Sequence, residues 1–197
     1  QLDFKFEITD SRKIARTLVA FANTSGGKLL VGVKDNGSIA GIRTDEEFFM
    51  IEAAASMYAK PEIDFETKEW DVDGKIILEV SIPKSDKRPH LAPYKDNKWK
   101  AYIRVEDQNI LANRILLKVW ERENKKWGVT IRYREQEKIL LDYLKENGKI
   151  TFSQFCKIAN IHKYQAETIL VNFIVLNIIE MIITEKQVYY KLDKNYG

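Results

Sequence analysis

Along residues 2–8, LDFKFEI, apolar and charged side chains alternate, and a period of two predicts a strand with one face buried. The next apolar positions, Ile14, Ala15, Leu18, Val19, Phe21 and Ala22, recur every three or four residues. That spacing predicts a helix burying one stripe, capped by Asp10 or Ser11. Gly26 and Gly27 stop it, and LLVGV reads as a strand covered on both faces. Asn36-Gly37 turns that strand into SIAGI, and residues 45–58 read as a helix ending before Pro61. A second turn at Asp73-Gly74 joins IDFETKEWDV to KIILEVSI. After a polar loop of about a dozen residues, long enough to suggest a functional role, WKAYIRV reads as one further strand. Residues 109–126 read as a closing helix.

The pattern changes after a Trp127-Gly128 break, with a second unit starting near Thr130. Residues 134–147 form a predicted helix stopped by Gly148, residues 153–160 a short one, and residues 163–177 a longer one. IIEMIITEKQVYYKL then reads as two strands about a turn at Glu185-Lys186. Three helices and a hairpin predict a winged helix-turn-helix domain over residues 129–197, behind a first domain over residues 1–128. The predicted class is α+β. In residues 163–177, Ala166, Ile169, Leu170, Phe173 and Leu176 are expected to face the core, leaving Lys163, Gln165, Glu167, Thr168 and Asn172 to solvent. Lys163 and Gln165 sit where a recognition helix meets base edges, although few other cations support them. Ile174, Val175 and Ile178 exceed what one core stripe needs, which points to a dimer face and a homodimer.

Composition narrows the class without naming a chemistry. The 197 residues, 45% hydrophobic and 31% charged, suit a soluble globular chain. No apolar run reaches the roughly 18–20 residues of a membrane helix, and no basic-then-apolar leader is evident, so a cytoplasmic protein without a membrane partner is expected. Two histidines and one cysteine make no metal constellation, so no metal or cofactor is expected. Cys156 falls at helical spacing with Phe152 and Phe155 and reads as core, and His90 in KRPHLAP reads as an exposed loop residue.

The net charge of +3 matters less than its distribution. Residues 45–79 carry eleven acids, among them Asp64, Glu66 and Glu79, against Lys60, Lys68 and Lys75. Residues 84–104 reverse the balance: Lys84, Lys87, Arg88, Lys95, Lys98, Lys100 and Arg104 face only Asp86 and Asp96. Tyr94, Trp99 and Tyr102 are interleaved with them, and such cations neutralise phosphates while Trp99 or Tyr94 stacks on a base.

The double glycine is not a phosphate cradle. Those loops run from strand to helix and present a helix N-terminus to the anion, whereas Gly26-Gly27 follows a helix C-terminus, where the partial charge is negative. The spacing also fails the P-loop pattern, so nothing here supports an ATPase. The pair reads as a helix stop that leaves Asn23, Thr24 and Lys28 to offer side-chain donors.

In this order and at these separations, FKFE, AFANTSGGKLLVGVKDNGSIAGI and YIRVEDQNILA resemble the Schlafen-type AlbA-like domain over residues 2 to about 126. The resemblance implies a mixed-sheet fold and nucleic-acid binding, as in bacterial DNA-binding transcriptional regulators, with DNA ahead of RNA as partner. In some schlafens the domain cleaves RNA through acidic residues, two of which would fall at Asp3 and Asp35, where they would hold a divalent metal. Asp3 stands where the family usually has Glu, and Glu106-Asp107 replace a usual Gly-Ser pair. Asp3 as an exposed strand residue and Asp35 as a turn residue remain the simpler reading, so no catalytic residue is assigned. Lys34 and Asn109 join the secondary binding candidates. A metal-dependent ribonuclease and a protein-interaction module remain as alternatives.

Overall fold

A computed structural model describes residues 1–42, 44–125 and 133–196, and contacts within the chain divide it into two compact units, residues 1–112 and 113–197. In the first unit β1 (Leu2–Lys5) lies parallel to β2 (Gly27–Val31), with Asp3 opposite Leu29. Parallel neighbours need a crossover, and α1 (Ser11–Asn23) provides it. Asp10 caps α1, its carboxylate accepting from the Arg12 and Lys13 amides at 2.8 and 3.3 Å. The predicted stripe of Ile14, Ala15, Leu18, Val19, Phe21 and Ala22 is buried, and Thr17, Ala20 and Asn23 are buried as well. The helix is covered on more than one side because α2 (Glu46–Ser56) packs on it in addition to the strands.

β4 (Lys75–Ile82) runs antiparallel to β2, and β3 (Glu66–Val72) antiparallel to β4, giving a mixed sheet in the order β1-β2-β4-β3. β3 is an exposed edge, and Glu66, Lys68, Glu69 and Asp71 along it oppose edge-to-edge pairing. The Asn36-Gly37 turn closes through a bridge between Val33 and Ile39.

WKAYIRV is not one strand. It breaks at Ala101 into β6 (Trp99–Lys100), paired with β5 (Ala92–Pro93), and β7 (Tyr102–Val105), paired with β8 (Gln108–Leu111). β8 occupies the start of what the periodicity predicts as a helix. A tight turn with Glu106 at φ +54° returns the chain along β7, and α3 (Arg114–Glu123) begins only after Asn113, whose side chain caps the Leu116 amide at 2.9 Å. Two asparagines four residues apart both resemble helix caps, and only the second serves as one.

The second unit contains α3, α4 (Glu135–Asn147), α5 (Phe152–Ile158), α6 (Lys163–Val175) and the antiparallel hairpin of β9 (Ile179–Ile183) and β10 (Val188–Leu192). Because α3 packs against α6, the boundary falls at residues 112/113 instead of 128/129. Lys126, the Trp127-Gly128 break and Thr130 lie outside the described residues. Leu140, Leu144, Phe155, Leu170, Phe173 and Tyr190 form the core. Cys156 is partly buried and packs against it, as do Ile174, Val175 and Ile178, which removes these last three as an argument for a dimer face. On α6, Val171 and Glu167 are buried where Leu176 was expected, because α3 covers that flank. Leu176 is 39% exposed. Among the described residues no helix is long and apolar enough to cross a membrane.

The double glycine is a point of close approach. The Gly26 amide donates to the Phe21 carbonyl at 2.9 Å and the residue has φ +76°. A Cβ there would stand 2.7 Å from the Ile82 oxygen and 2.9 Å from the Lys84 nitrogen, and one at Gly27 would meet the Phe21 ring at 2.8 Å. The end of α1, the start of β2 and the exit of β4 touch at this corner. Gly26→Ala is expected to lower stability by about 2 kcal/mol or more through combined backbone strain and collision. Urea unfolding of the full chain measures this, and an unchanged midpoint would contradict it.

Candidate nucleic-acid interface

Several residues that sequence reasoning offers to a polynucleotide are consumed by the scaffold. Asn23 is buried at the last position of α1, where its amide donates to the carbonyls of His90 (2.9 Å) and Tyr102 (2.8 Å) and accepts from the His90 amide at 2.8 Å. The Thr24 hydroxyl donates to the Ala20 carbonyl at 2.7 Å and accepts from the Arg104 amide at 2.9 Å. Both clamp neighbouring backbone to the end of α1, and neither has the free donor expected of it.

His90 is not an exposed loop residue; it is 1% exposed. Its Nδ1 lies 2.7 Å from the Pro61 carbonyl and its Nε2 lies 2.6 Å from the Ser85 hydroxyl. A carbonyl only accepts, so the proton sits on Nδ1 and the Ser85 hydroxyl donates to Nε2. Burial pushes the imidazole pKa below its ordinary value, outweighing the help of the Pro61 carbonyl.

Arg104, the strongest cation of the β7 strand in the sequence, is 4% exposed and faces inward. Its guanidinium lies 3.4 Å from the Asp3 carboxylate, donates to Asn109 Oδ1 at 3.0 Å and covers the Phe21 ring at 5.5 Å. Asn109 in turn donates to the Thr17 hydroxyl at 2.9 Å. Arg104 and Asn109 therefore tie β1, α1, β7 and β8 together and leave the list of phosphate contacts. Asp3 also pairs with Lys5 at 3.1 Å, so two cations take up its carboxylate. Asp35 stands exposed in the turn closed by the Gly37 amide on the Lys34 carbonyl at 2.8 Å. Among the described residues no three His, Cys, Asp or Glu side chains gather as metal ligands do. The pair thus does not fit the divalent-ion site that the resemblance implies.

The remaining candidates separate by how their charge is balanced. Lys28 pairs with Glu79 at 2.8 Å, and this ammonium holds the Glu79 carboxyl below its ordinary pKa. Lys34 lies over the Phe6 ring at 5.7 Å. Lys84 and Lys87 are exposed but line a cavity of about 190 Å³ together with Asp64, Asp86 and His90, so carboxylates dilute their field. Arg88 is half-buried.

Lys95, Lys98 and Lys100 are different. They are exposed on the β5–β6 hairpin, and among the described residues no carboxylate pairs with them. Alternation along a strand puts Lys98 and Lys100 on one face of the ribbon and Trp99 on the other. Trp99 is half-buried, and the Lys60 ammonium sits 4.1 Å from its ring centre, so one face of the indole is already covered. The hairpin is fastened by reciprocal backbone bonds between Lys60 and Leu91 (2.9 and 2.7 Å) and by Arg16 Nε donating to the Pro93 carbonyl at 3.0 Å. The Arg16 guanidinium lies 5.9 Å from the Tyr102 ring, and that of Arg12 lies 5.5 Å from the Tyr58 ring. Arg12, Arg16 and Lys60 are the cations that sequence reasoning missed. Arg12 and Arg16, four apart on α1, share a helix face, and that spacing was the available signal. In the second unit, Lys163 and Gln165 are exposed in the first turn of α6, whereas Glu167 is buried.

Residues 1–113 match the family model described as Schlafen, AlbA_2. No curated protein matches the chain. Among solved structures, the DIP2311 protein of Corynebacterium diphtheriae is 18% identical with a TM-score of 0.47, covering 76% of this chain and 34% of its own. The N-terminal domain of an ATP-dependent DNA helicase RecG-related protein of Nitrosomonas europaea is 18% identical with a TM-score of 0.37, covering 68% of this chain and 86% of its own. This chain thus spans about a third of the DIP2311 chain.

Asp3→Asn is expected to destabilise the protein by about 3 kcal/mol, because it leaves a buried guanidinium without its counter-charge. Adding Arg104→Met should recover part of that loss, and chemical denaturation of both variants checks it. For His90 the folded pKa is lowered, so its stabilising contribution is complete above the unfolded value of about 6.5 and is lost as the pH falls below it. Stability measured from pH 7.5 down to 5 should fall less steeply in His90→Gln than in the parent; equal slopes would refute the assignment.

Proposed function

Since this chain belongs to the Schlafen, AlbA_2 family, we propose that it is a nucleic-acid-binding protein whose first unit holds the phosphate backbone with the lysines of the β5–β6 hairpin. The observation that carries this reading is that Lys95, Lys98 and Lys100 are exposed on one ribbon without carboxylate partners among the described residues, while Arg104 and Lys28 are neutralised within the fold. Arg16 and Lys60 extend the positive field at the foot of the hairpin. Unpaired, solvated ammonium groups release condensed counterions when they meet phosphates, and this favours binding without reading sequence. Lys84 and Lys87 add a weaker flank, because Asp64 and Asp86 share their cavity, and the half-buried Arg88 follows them in the chain.

The second unit supports a finer reading as a DNA-binding transcriptional regulator. The order α4, α5, α6, β9, β10 supports a winged helix-turn-helix reading, in which α6 would serve as the recognition helix. Gln165 in its first turn is able to pair with adenine, and Lys163 beside it with a phosphate or with guanine. These features favour duplex DNA over RNA as the partner.

Binding of random duplex DNA should weaken with salt along a log–log line, and joint charge reversal of Lys95, Lys98 and Lys100 should reduce its slope by about 0.9 for each lysine that meets a phosphate. Reversal of Lys28, already held by Glu79, should leave the slope nearly unchanged. A gel-shift titration at several salt concentrations decides the matter: a triple variant with the parental slope removes the hairpin from the interface.

A further inference from the structure

The cations that α6 lacks are supplied by α3. Arg114, Lys118 and Arg122 recur every four residues and Lys125 follows three later. Arg114, Lys118 and Arg122 share one side of the helix, with successive charges about 6 Å apart along its axis, and Lys125 follows just beyond the helix end. α3 packs against α6, and the four cations, with Tyr164 and Thr168 of α6, line a groove of about 300 Å³. Two carboxylates belong to the same place. Glu121 pairs with Lys125 at 2.6 Å, and Glu167 pairs with Lys118 and, at 3.4 Å, with Arg114. Four cations against two carboxylates leave the groove positive.

The arrangement of the acids matters as much as their number. Glu167 is 7% exposed, so it fixes the directions of Lys118 and Arg114 from below and offers little negative surface to a ligand. Arg114 keeps 71% of its side chain exposed and retains donors beyond the Nε engaged by Glu167. Among the described residues Arg122 is in no ion pair. A row of oriented cations at helical spacing, anchored by a buried carboxylate, suits a regularly charged polyanion. Single-strand binding relies on several free aromatic faces. Among the described residues lining the groove the one exposed aromatic is Tyr164, and the Lys118 ammonium lies 5.3 Å from its ring.

We propose that the α3–α6 groove is a second nucleic-acid site, which holds the sugar–phosphate backbone of duplex DNA beside the first turn of α6. Arg114, Lys118, Arg122 and Lys125 make the phosphate contacts, and Tyr164 and Thr168 form the opposite wall. Phosphate contacts set register without reading bases, so this anchor positions Lys163 and Gln165 against the duplex. The site goes beyond the hairpin surface of the first unit and stands on different residues.

The test uses the full chain with Arg122→Gln and Lys125→Gln, which spare the two cations bound to Glu167. These changes are made in the parent and in the chain whose Lys95, Lys98 and Lys100 are reversed, with circular dichroism and thermal melting confirming the fold. Fluorescence anisotropy with a labelled random duplex is then followed across a salt series. The expected result is a fall in slope of about 0.9 in both backgrounds, carried by Arg122 because Glu121 already holds Lys125, with a smaller loss of affinity for a single strand of equal length. Parental slopes in both backgrounds would overturn the proposal, as would an equal loss for the single strand or a parent that binds no duplex at all. If only the groove substitutions matter, the groove stands and the hairpin reading falls. If only the hairpin reversal matters, the reverse holds.

Discussion

A buried guanidinium organises the first unit. Arg104 sits beneath the β7–β8 hairpin with 4% of its surface exposed, and a charge so far from water needs a partner within reach. Asp3 provides the opposite charge, Asn109 an oxygen and Phe21 a ring face, so β1 and α1 are held to the β7–β8 hairpin in one geometry. Thr24 adds a bond to the Arg104 backbone, and Asn23 beside it bonds the His90 segment and β7. The end of α1 is therefore a junction at which polar side chains do the work that an apolar core does elsewhere.

That junction explains which charges remain for function. The same residue types occur in the scaffold and at the candidate interface, and what separates them is whether a carboxylate stands nearby. Lys28 has Glu79, Arg104 has Asp3, and Lys84 and Lys87 share their cavity with Asp64 and Asp86. Lys95, Lys98 and Lys100 have no such neighbour among the described residues. In the second unit a buried carboxylate has the opposite use: Glu167 aims Arg114 and Lys118 without neutralising the whole row. Net charge along a stretch of sequence is thus a poor guide to the field outside the protein, and pairing in space is a better one.

The errors of sequence reasoning follow the same physics. Arg104 and Asn109 read as surface donors because a strand with a charged residue at alternate positions normally turns that residue outward. Every residue of β7 is buried, and α1 packs against the strand. His90 read as a loop residue because its neighbours are prolines and lysines, and nothing local shows that Pro61 and Ser85 will enclose its ring. Assigning α3 to the first unit hid the basic row of the second, because its apolar periodicity does not state which core it enters.

Local chemistry in the chain itself determined the first helix and its Asp10 cap, the glycine corner, the two hairpin turns at Asn36-Gly37 and Asp73-Gly74, the helix-rich second unit and its closing hairpin. Capping, turn geometry and periodicity act over a few residues, so they are legible in order along the chain. Only the tertiary structure decided where charges meet: that Asp3 would find Arg104 a hundred residues away, that Arg16 and Lys60 would gather at the foot of one ribbon, and that α3 would lie along α6. Those outcomes depend on distances between elements, and electrostatic free energy depends on distance and on burial, neither of which a linear sequence contains.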